Sequence, residues 1–289
     1  MLNGNHYTIN MTSRRGLAKT RNLVLLIISI AAASLLSACA TPRWSEIALD
    51  EEVQITDIVY RMQEENKLCP NNLDAEATVF WKTPLSSSGI NGYLQLRSPS
   101  FVKLIINSPL GMVLYAFASD GQSFQTLDIS QRRHISGNLR TLAIRKNVPV
   151  ILAQGDLFAY IIGALPAEPL KIRKITRDSR DQTVWLQLDQ TGRNKTSDSR
   201  WLHLDIHKRQ VLGYLFLDNE GSVIADITYK KMDTMQNSCI SPEHTTLITG
   251  LQWGTEITLK LKDIRTDTPF EDADFSLPVP DNYYKQLQP

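Results

Sequence analysis

The residues able to do chemistry in this 289-residue chain are few, and the first of them is Cys39. It closes Leu36-Ser37-Ala38-Cys39, which reads as a lipobox: a small-residue cleavage site followed by a cysteine that becomes the new N-terminus and is acylated. A second set is His203-Leu204-Asp205-Ile206-His207. On a strand, residues two apart share a face, so His203, Asp205 and His207 would line up as part of a metal site. The simpler alternative is that Leu202, Leu204 and Ile206 form the buried face and the polar residues the wet one, and no metal is expected. Nucleophile, phosphate-loop and dinucleotide-binding motifs do not occur, so a binding protein without a cofactor is expected rather than an enzyme.

The segment ahead of Cys39 has the layout of an export signal. Arg14, Arg15, Lys19 and Arg21 precede an apolar run from Leu23 to Leu36, and small residues follow. A run of that length is short for a membrane span, which needs about 20 residues. An ordinary secretory signal that happens to end near a cysteine is the alternative. Acylation at Cys39 predicts a signal peptide over 1–38, a lipidated tether over 39–46 and a domain over 47–289. Several acyl chains anchor where one does not, at about 0.8 kcal/mol per buried CH₂. Ala40 follows the cysteine, where an aspartate would resemble an inner-membrane retention signal. The expected location is therefore the periplasmic face of a bacterial outer membrane.

Charge narrows the partners. The chain has 31 basic and 30 acidic side chains; removing the four basic ones of the signal leaves 27 against 30, a net charge of about −3. Such a balance leaves no footprint for nucleic acid. Once Cys39 carries lipid, Cys69 and Cys239 remain as a pair in an oxidising compartment, and a disulfide is expected; two unrelated buried thiols are the alternative.

These residues need elements to position them. Ile55, Ile58, Val59 and Met62 recur at helical spacing, which predicts a helix over 47–67, with acids in its first turn to suit the dipole. Alternating runs then predict strands, among them 77–81, 92–97, 101–106, 112–118 and 123–129, the last two joined through Asp120-Gly121, a strong hairpin signal. Pro149 to Leu165 is apolar on too many sides for a surface helix and predicts a helical insert covering a core or cavity. Strands resume at 171–177, 183–189, 201–207, 211–217, 223–230 and 256–264, before a proline-rich tail. The order predicts a mainly β (α+β) fold of about 11–13 antiparallel strands with an N-terminal helix and a helical insert, bent into either an open barrel or a sandwich.

One turn breaks the usual rule that turns are polar. Asn107-Ser108-Pro109-Leu110-Gly111-Met112 places Leu110 and Met112 at or beside the turn itself. Either it protrudes as an apolar tip or it folds back onto the core.

The run Lys103 to Gly111 followed by a strand resembles the LolB family of outer-membrane lipoprotein receptors, in which an Asn-Pro-Leu-Gly turn follows a strand. Tyr160 to Pro166 is similar to that family's Trp-Ile-x-Gly-x-Pro segment. Here Tyr160 stands in place of the tryptophan, Ser108 is inserted after Asn107, and the stretch 235–289 extends past the family's usual length. The resemblance covers most of Glu46 to Tyr229 and is firmer for the wider LolA/LolB-like superfamily. It implies an unclosed antiparallel β-barrel of these strands with helices over its mouth as a lid, a concave apolar interior holding acyl chains of lipoproteins or lipids, and a membrane-contacting turn at Leu110 with Met112 beside it. Partners would be those acyl chains, the outer membrane through the anchor, and a periplasmic lipoprotein carrier. Phe80, Leu94, Leu104, Ile106, Leu157, Phe158 and Ile161 are the expected cavity and lid residues. A rival reading is an envelope assembly lipoprotein whose barrel is filled by its own side chains and which binds a protein.

Overall fold

The computed structural model describes residues 44–189, 199–230, 239 and 243–288; Cys39, its signal and its tether lie outside these residues. Alternation and hairpin turns generate one mainly antiparallel sheet of 15 strands. In chain order these are β1 (Trp44–Ser45), β2 (Asn72–Lys82), β3 (Ser87–Arg97), β4 (Phe101–Asn107), β5 (Val113–Ser119), β6 (Ser123–Asp128), β7 (Arg133–Asn138), β8 (Ile172–Asp178), β9 (Val184–Leu188), β10 (Ser199–Asp205), β11 (Gln210–Leu217), β12 (Val223–Tyr229), β13 (His244–Leu251), β14 (Thr255–Arg265) and β15 (Tyr284–Gln288). Two meanders, β2 to β7 and β8 to β14, are joined where β14 pairs with β2. β1 and β15 are the free edges, so the barrel is unclosed.

Helix α1 (Leu49–Asn66) buries Ile55, Val59 and Met62, its periodic apolar positions, on the inner face of β8 to β12. Asp50, Glu51 and Glu52 occupy its first turn, where the dipole favours acids. A further helix, α2 (Leu139–Arg145), precedes the insert predicted over 149–165, which is two short helices, α3 (Val150–Ala153) and α4 (Leu157–Ile162). Asn138 caps α2 by accepting from the Thr141 N–H, and the positive φ of Gly163 ends α4. Among the described residues no helix is long and apolar enough to cross a membrane.

The stretch 235–289, read as an extension, is integral to the sheet. It supplies β13 and β14 at the seam between the meanders. Residues 266–283 then cross the outer face as a strap. Arg97 donates to the Phe270 carbonyl (2.9 Å) and pairs with Asp272, Lys103 donates to the Asp274 carbonyl (2.8 Å), and Gln125 accepts from the Leu277 N–H (3.1 Å). Leu277, Val279 and Tyr283 cover Ala116, Ala118 and Leu127, and β15 ends the crossing in parallel beside β7. Cys69 and Cys239 are bonded, with Cα atoms 5.4 Å apart, closing a loop of 170 residues. On the chain-entropy account such a loop stabilises by about 4–5 kcal/mol.

Candidate functional site

The inner face is built by every second residue of each strand. Across the first meander, Ala75, Leu94, Leu104 and Phe117 are successive cross-strand partners. Small Ala75 and Ala77 leave room for Phe158 and Ile161 of α4, which join Leu94, Leu104 and Leu157 in one apolar cluster. Ile106 lies on the same face, half-buried and opposite Tyr115. Six of the seven expected cavity and lid residues thus share the inner side.

Phe80 does not. It is 43 % exposed on the outer face, with Lys260 Nζ 5.2 Å from its ring centroid. Leu73, Ala75, Ala77 and Val79 take the inner positions of β2, so the next residue must point outward. Gly89 lies opposite Phe80 and must be small, since a Cβ there would lie 2.6 Å from the ring.

Helix α4 is pinned down by the sheet below it. The last carbonyls of a helix lack intrahelical partners. Here Tyr229 donates to the Tyr160 carbonyl (2.8 Å), Thr246 to Ile161 (2.6 Å) and Tyr214 to Ala164 (2.6 Å). Burial raises the pKa of Tyr160, Tyr214 and Tyr229, so their hydroxyls stay protonated and able to donate. Arg200 Nη1 donates to the Tyr160 hydroxyl at 3.1 Å. At the other end, Asp156 accepts from the N–H groups of Ala159 and Ala167. Gln63 of α1, 5 % exposed, donates to the carbonyls of Pro166 and Glu168 and accepts from the Leu170 N–H. α1 is thereby tied to the segment 166–170 that follows α4. A cavity of about 220 Å³ remains beside α4, bounded by Asp156, Phe158 and the Cys69–Cys239 bond.

The roof is incomplete over β5 to β7. A groove of about 490 Å³ opens there, with Tyr115, Phe124, Thr126 and Ile135 on the sheet side and Leu142 and Arg145 of α2 and Lys146 just after it on the other. Sequence reasoning missed α2 and with it this groove; the one available signal was Asn138 as a capping residue ahead of Leu139, Leu142 and Ala143.

The turn between β4 and β5 protrudes. Ser108 organises it: its N–H donates to the Met112 carbonyl (2.7 Å), its carbonyl accepts from Gly111 (2.9 Å) and its hydroxyl from the Met112 N–H (3.1 Å). Gly111 has φ +80°, which favours glycine. Leu110 is 84 % exposed and Met112 61 %. β2 and β4 both run antiparallel to β3, so the turns that follow them lie at one end of the sheet. Leu85, at the tip of the β2–β3 turn, is 97 % exposed at that same end.

His203, Asp205 and His207 are not brought together. β10 keeps its alternation but ends at Asp205, so His207 falls in the turn that follows; the extra residue at the register shift, Leu212, belongs to β11. His203 stacks on Trp185 (4.1 Å) and bonds the Thr183 hydroxyl (2.5 Å), while Asp205 accepts from the Lys208 N–H (2.9 Å). Asp178, Asp181 and His203 do present ligand atoms within 4.8 Å of one another. Their atoms are engaged in the β8–β9 turn: Asp178 accepts from Trp185 Nε1 (3.1 Å) and the Arg180 N–H (3.0 Å), and Asp181 from the Thr183 hydroxyl (2.5 Å). The neighbouring outer face carries Trp44 stacked on Trp201, with ring centroids 4.6 Å apart.

An unclosed sheet with helices against its inner face defines the class: an unclosed β-barrel of the LolA type. Two solved structures with this fold are a LolA superfamily protein from Nitrosomonas europaea (TM-score 0.52, 12 % identity, 75 % of this chain and 97 % of that one) and an outer membrane lipoprotein-sorting protein domain from Vibrio parahaemolyticus (TM-score 0.52, 16 % identity, 74 % and 94 %). A DUF1329 family protein from Desulfovibrio piger aligns comparably (TM-score 0.51, 12 % identity, 77 % and 96 %). No protein-family model and no curated protein sequence matches the chain.

Proposed function

We propose that this chain is a lipoprotein anchored through Cys39 to the periplasmic face of a bacterial outer membrane, where it binds acyl chains of lipoproteins or lipids and serves lipoprotein localisation or insertion. Binding is passive, through apolar burial at about 25 cal/mol per Å², with no catalytic step and no cofactor. The observation that carries the reading is the protruding Leu110–Met112 turn on a sheet whose inner apolar face is only partly roofed. The fold shared with the Nitrosomonas and Vibrio proteins supports it. A membrane-fixed binder can receive or hold a chain but cannot ferry it across the periplasm, so a soluble lipoprotein carrier is the natural donor. Lipid extraction and mass spectrometry of the purified protein test this: co-purifying acyl species are expected, and their absence overturns it.

One observation favours a second reading. α1 and α4 already fill the inner face from β8 through β14 to β4, held by Gln63, Tyr214, Tyr229 and Thr246. A self-filled barrel of that kind would serve as an assembly factor that binds a protein partner. A lipid-free preparation that retains one stoichiometric envelope protein would support it.

A further inference from the structure

The groove over β5 to β7 differs in chemistry from the rest of the inner face. Its apolar lining is Ile135 on the sheet, over the buried Phe124, and Leu142 of α2 opposite, but Arg133, Arg145 and Lys146 stand around it. Among the described residues only one acid, Asp128, lines it. Asp128 Oδ1 accepts from the Ser130 hydroxyl (2.7 Å) and the Gln131 N–H (2.9 Å); these bonds, together with the charge of its cross-strand partner Arg133, hold its carboxyl below the usual value. Among the described residues none of the three cations forms an ion pair. Arg133 Nε is buried and has no hydrogen-bond partner. A buried guanidinium nitrogen left unpaired is costly unless something supplies an acceptor. Tyr115, with its hydroxyl kept protonated by burial, adds a donor on the same face.

We infer that this groove is a binding site for a single acyl chain carrying an anionic head, the chain lying between Ile135 and Leu142 and the head meeting Arg133, Arg145 and Lys146. A volume of about 490 Å³ suits one such amphiphile and lies inside the roughly 300–1,000 Å³ range of small-molecule sites. Guanidinium groups pair carboxylates and phosphates in a planar, two-pronged geometry, so both a fatty acid and a lysophospholipid fit this chemistry. The inference rests on the acyl-binding reading above and assigns it a place and a head group.

The test is photocrosslinking of the full chain with diazirine-bearing palmitate, lysophosphatidylglycerol and the uncharged hexadecanol, with the labelled peptides mapped by mass spectrometry. Labelling by the anionic probes is expected on peptides holding Ile135 and Leu142. The exposed double substitution Arg145→Ser/Lys146→Ser, which leaves the packed sheet untouched, should cut anionic labelling about tenfold and leave hexadecanol unchanged. Arg133→Gln should do the same. The stronger of the two anionic probes identifies the head, carboxylate or phosphate. Equal labelling by all three probes, or labelling confined to peptides of Leu94 and Leu104, overturns the groove assignment while the acyl-binding reading stands. No labelling anywhere overturns both.

Discussion

The hydroxyl of Thr246 on β13 donates to the carbonyl of Ile161 on α4 at 2.6 Å, and Thr246 is fully buried. A strand side chain thus completes a helix end that the helix cannot complete for itself. Thr246→Val keeps the shape and removes the donor, leaving that carbonyl unsatisfied. A loss of about 1–3 kcal/mol in urea unfolding is expected, together with faster amide exchange across 157–162. Unchanged exchange there would show that α4 is held by packing alone.

The exposed apolar tips separate function from stability. Leu110→Glu and Leu85→Glu touch no packed atoms, so unfolding should shift by no more than about 0.5 kcal/mol. Transfer of a lipoprotein into vesicles should fall sharply, and further in the double variant because both tips lie at one end of the sheet. Undiminished transfer would remove the turn from the mechanism.

His244 makes a pH prediction. Burial pushes its pKa from 6.5 to about 4. The unfolded chain therefore binds the proton first on acidification. Stability is complete above about pH 6.5 and declines toward pH 4, by about 3 kcal/mol from this group. His244→Leu should flatten that part of the stability–pH profile. A wild-type profile that is level between pH 6.5 and 4 contradicts the assignment.

The two faces of the first meander differ in cost. Leu94→Ala, in the cluster under α4, should destabilise by about 2–5 kcal/mol. Phe80→Ala, on the outer face, should cost clearly less although it removes more atoms. Thermal or urea unfolding of the pair compares them directly.

The same residues explain what the sequence could and could not disclose. Helix α1 was legible because Ile55, Val59 and Met62 keep one period among acids, and the β5–β6 hairpin because Asp120-Gly121 marks its turn. The inner face of β2 was harder to assign: Val79, Phe80 and Trp81 are all apolar, so alternation does not choose a face. β13 was missed because its inward positions include His244 and Thr246, polar residues whose burial only α4 and the neighbouring strands make sense of. α2 spans less than two turns, too short for a period to register, and the groove it walls went unseen with it. β15 is polar at most positions and is a strand only because β7 offers it an edge. The cluster Leu94, Leu104, Phe158 and Ile161 was readable as a set of apolar residues, whereas their shared contact depends on long-range pairing.

The seam between β2 and β14 also bears on how the chain folds. β2 spans 72–82 and its partner 255–265, so the centre of the sheet joins segments far apart in the chain. The first meander can form its hairpins early from local pairs, but its inner edge stays unpaired until β14 arrives. During synthesis that bare strand edge is the chain's main opportunity for wrong pairing. A chain truncated before residue 255 would carry the hazard permanently, which makes residues 255–289 the part that commits the molecule to a single folded form.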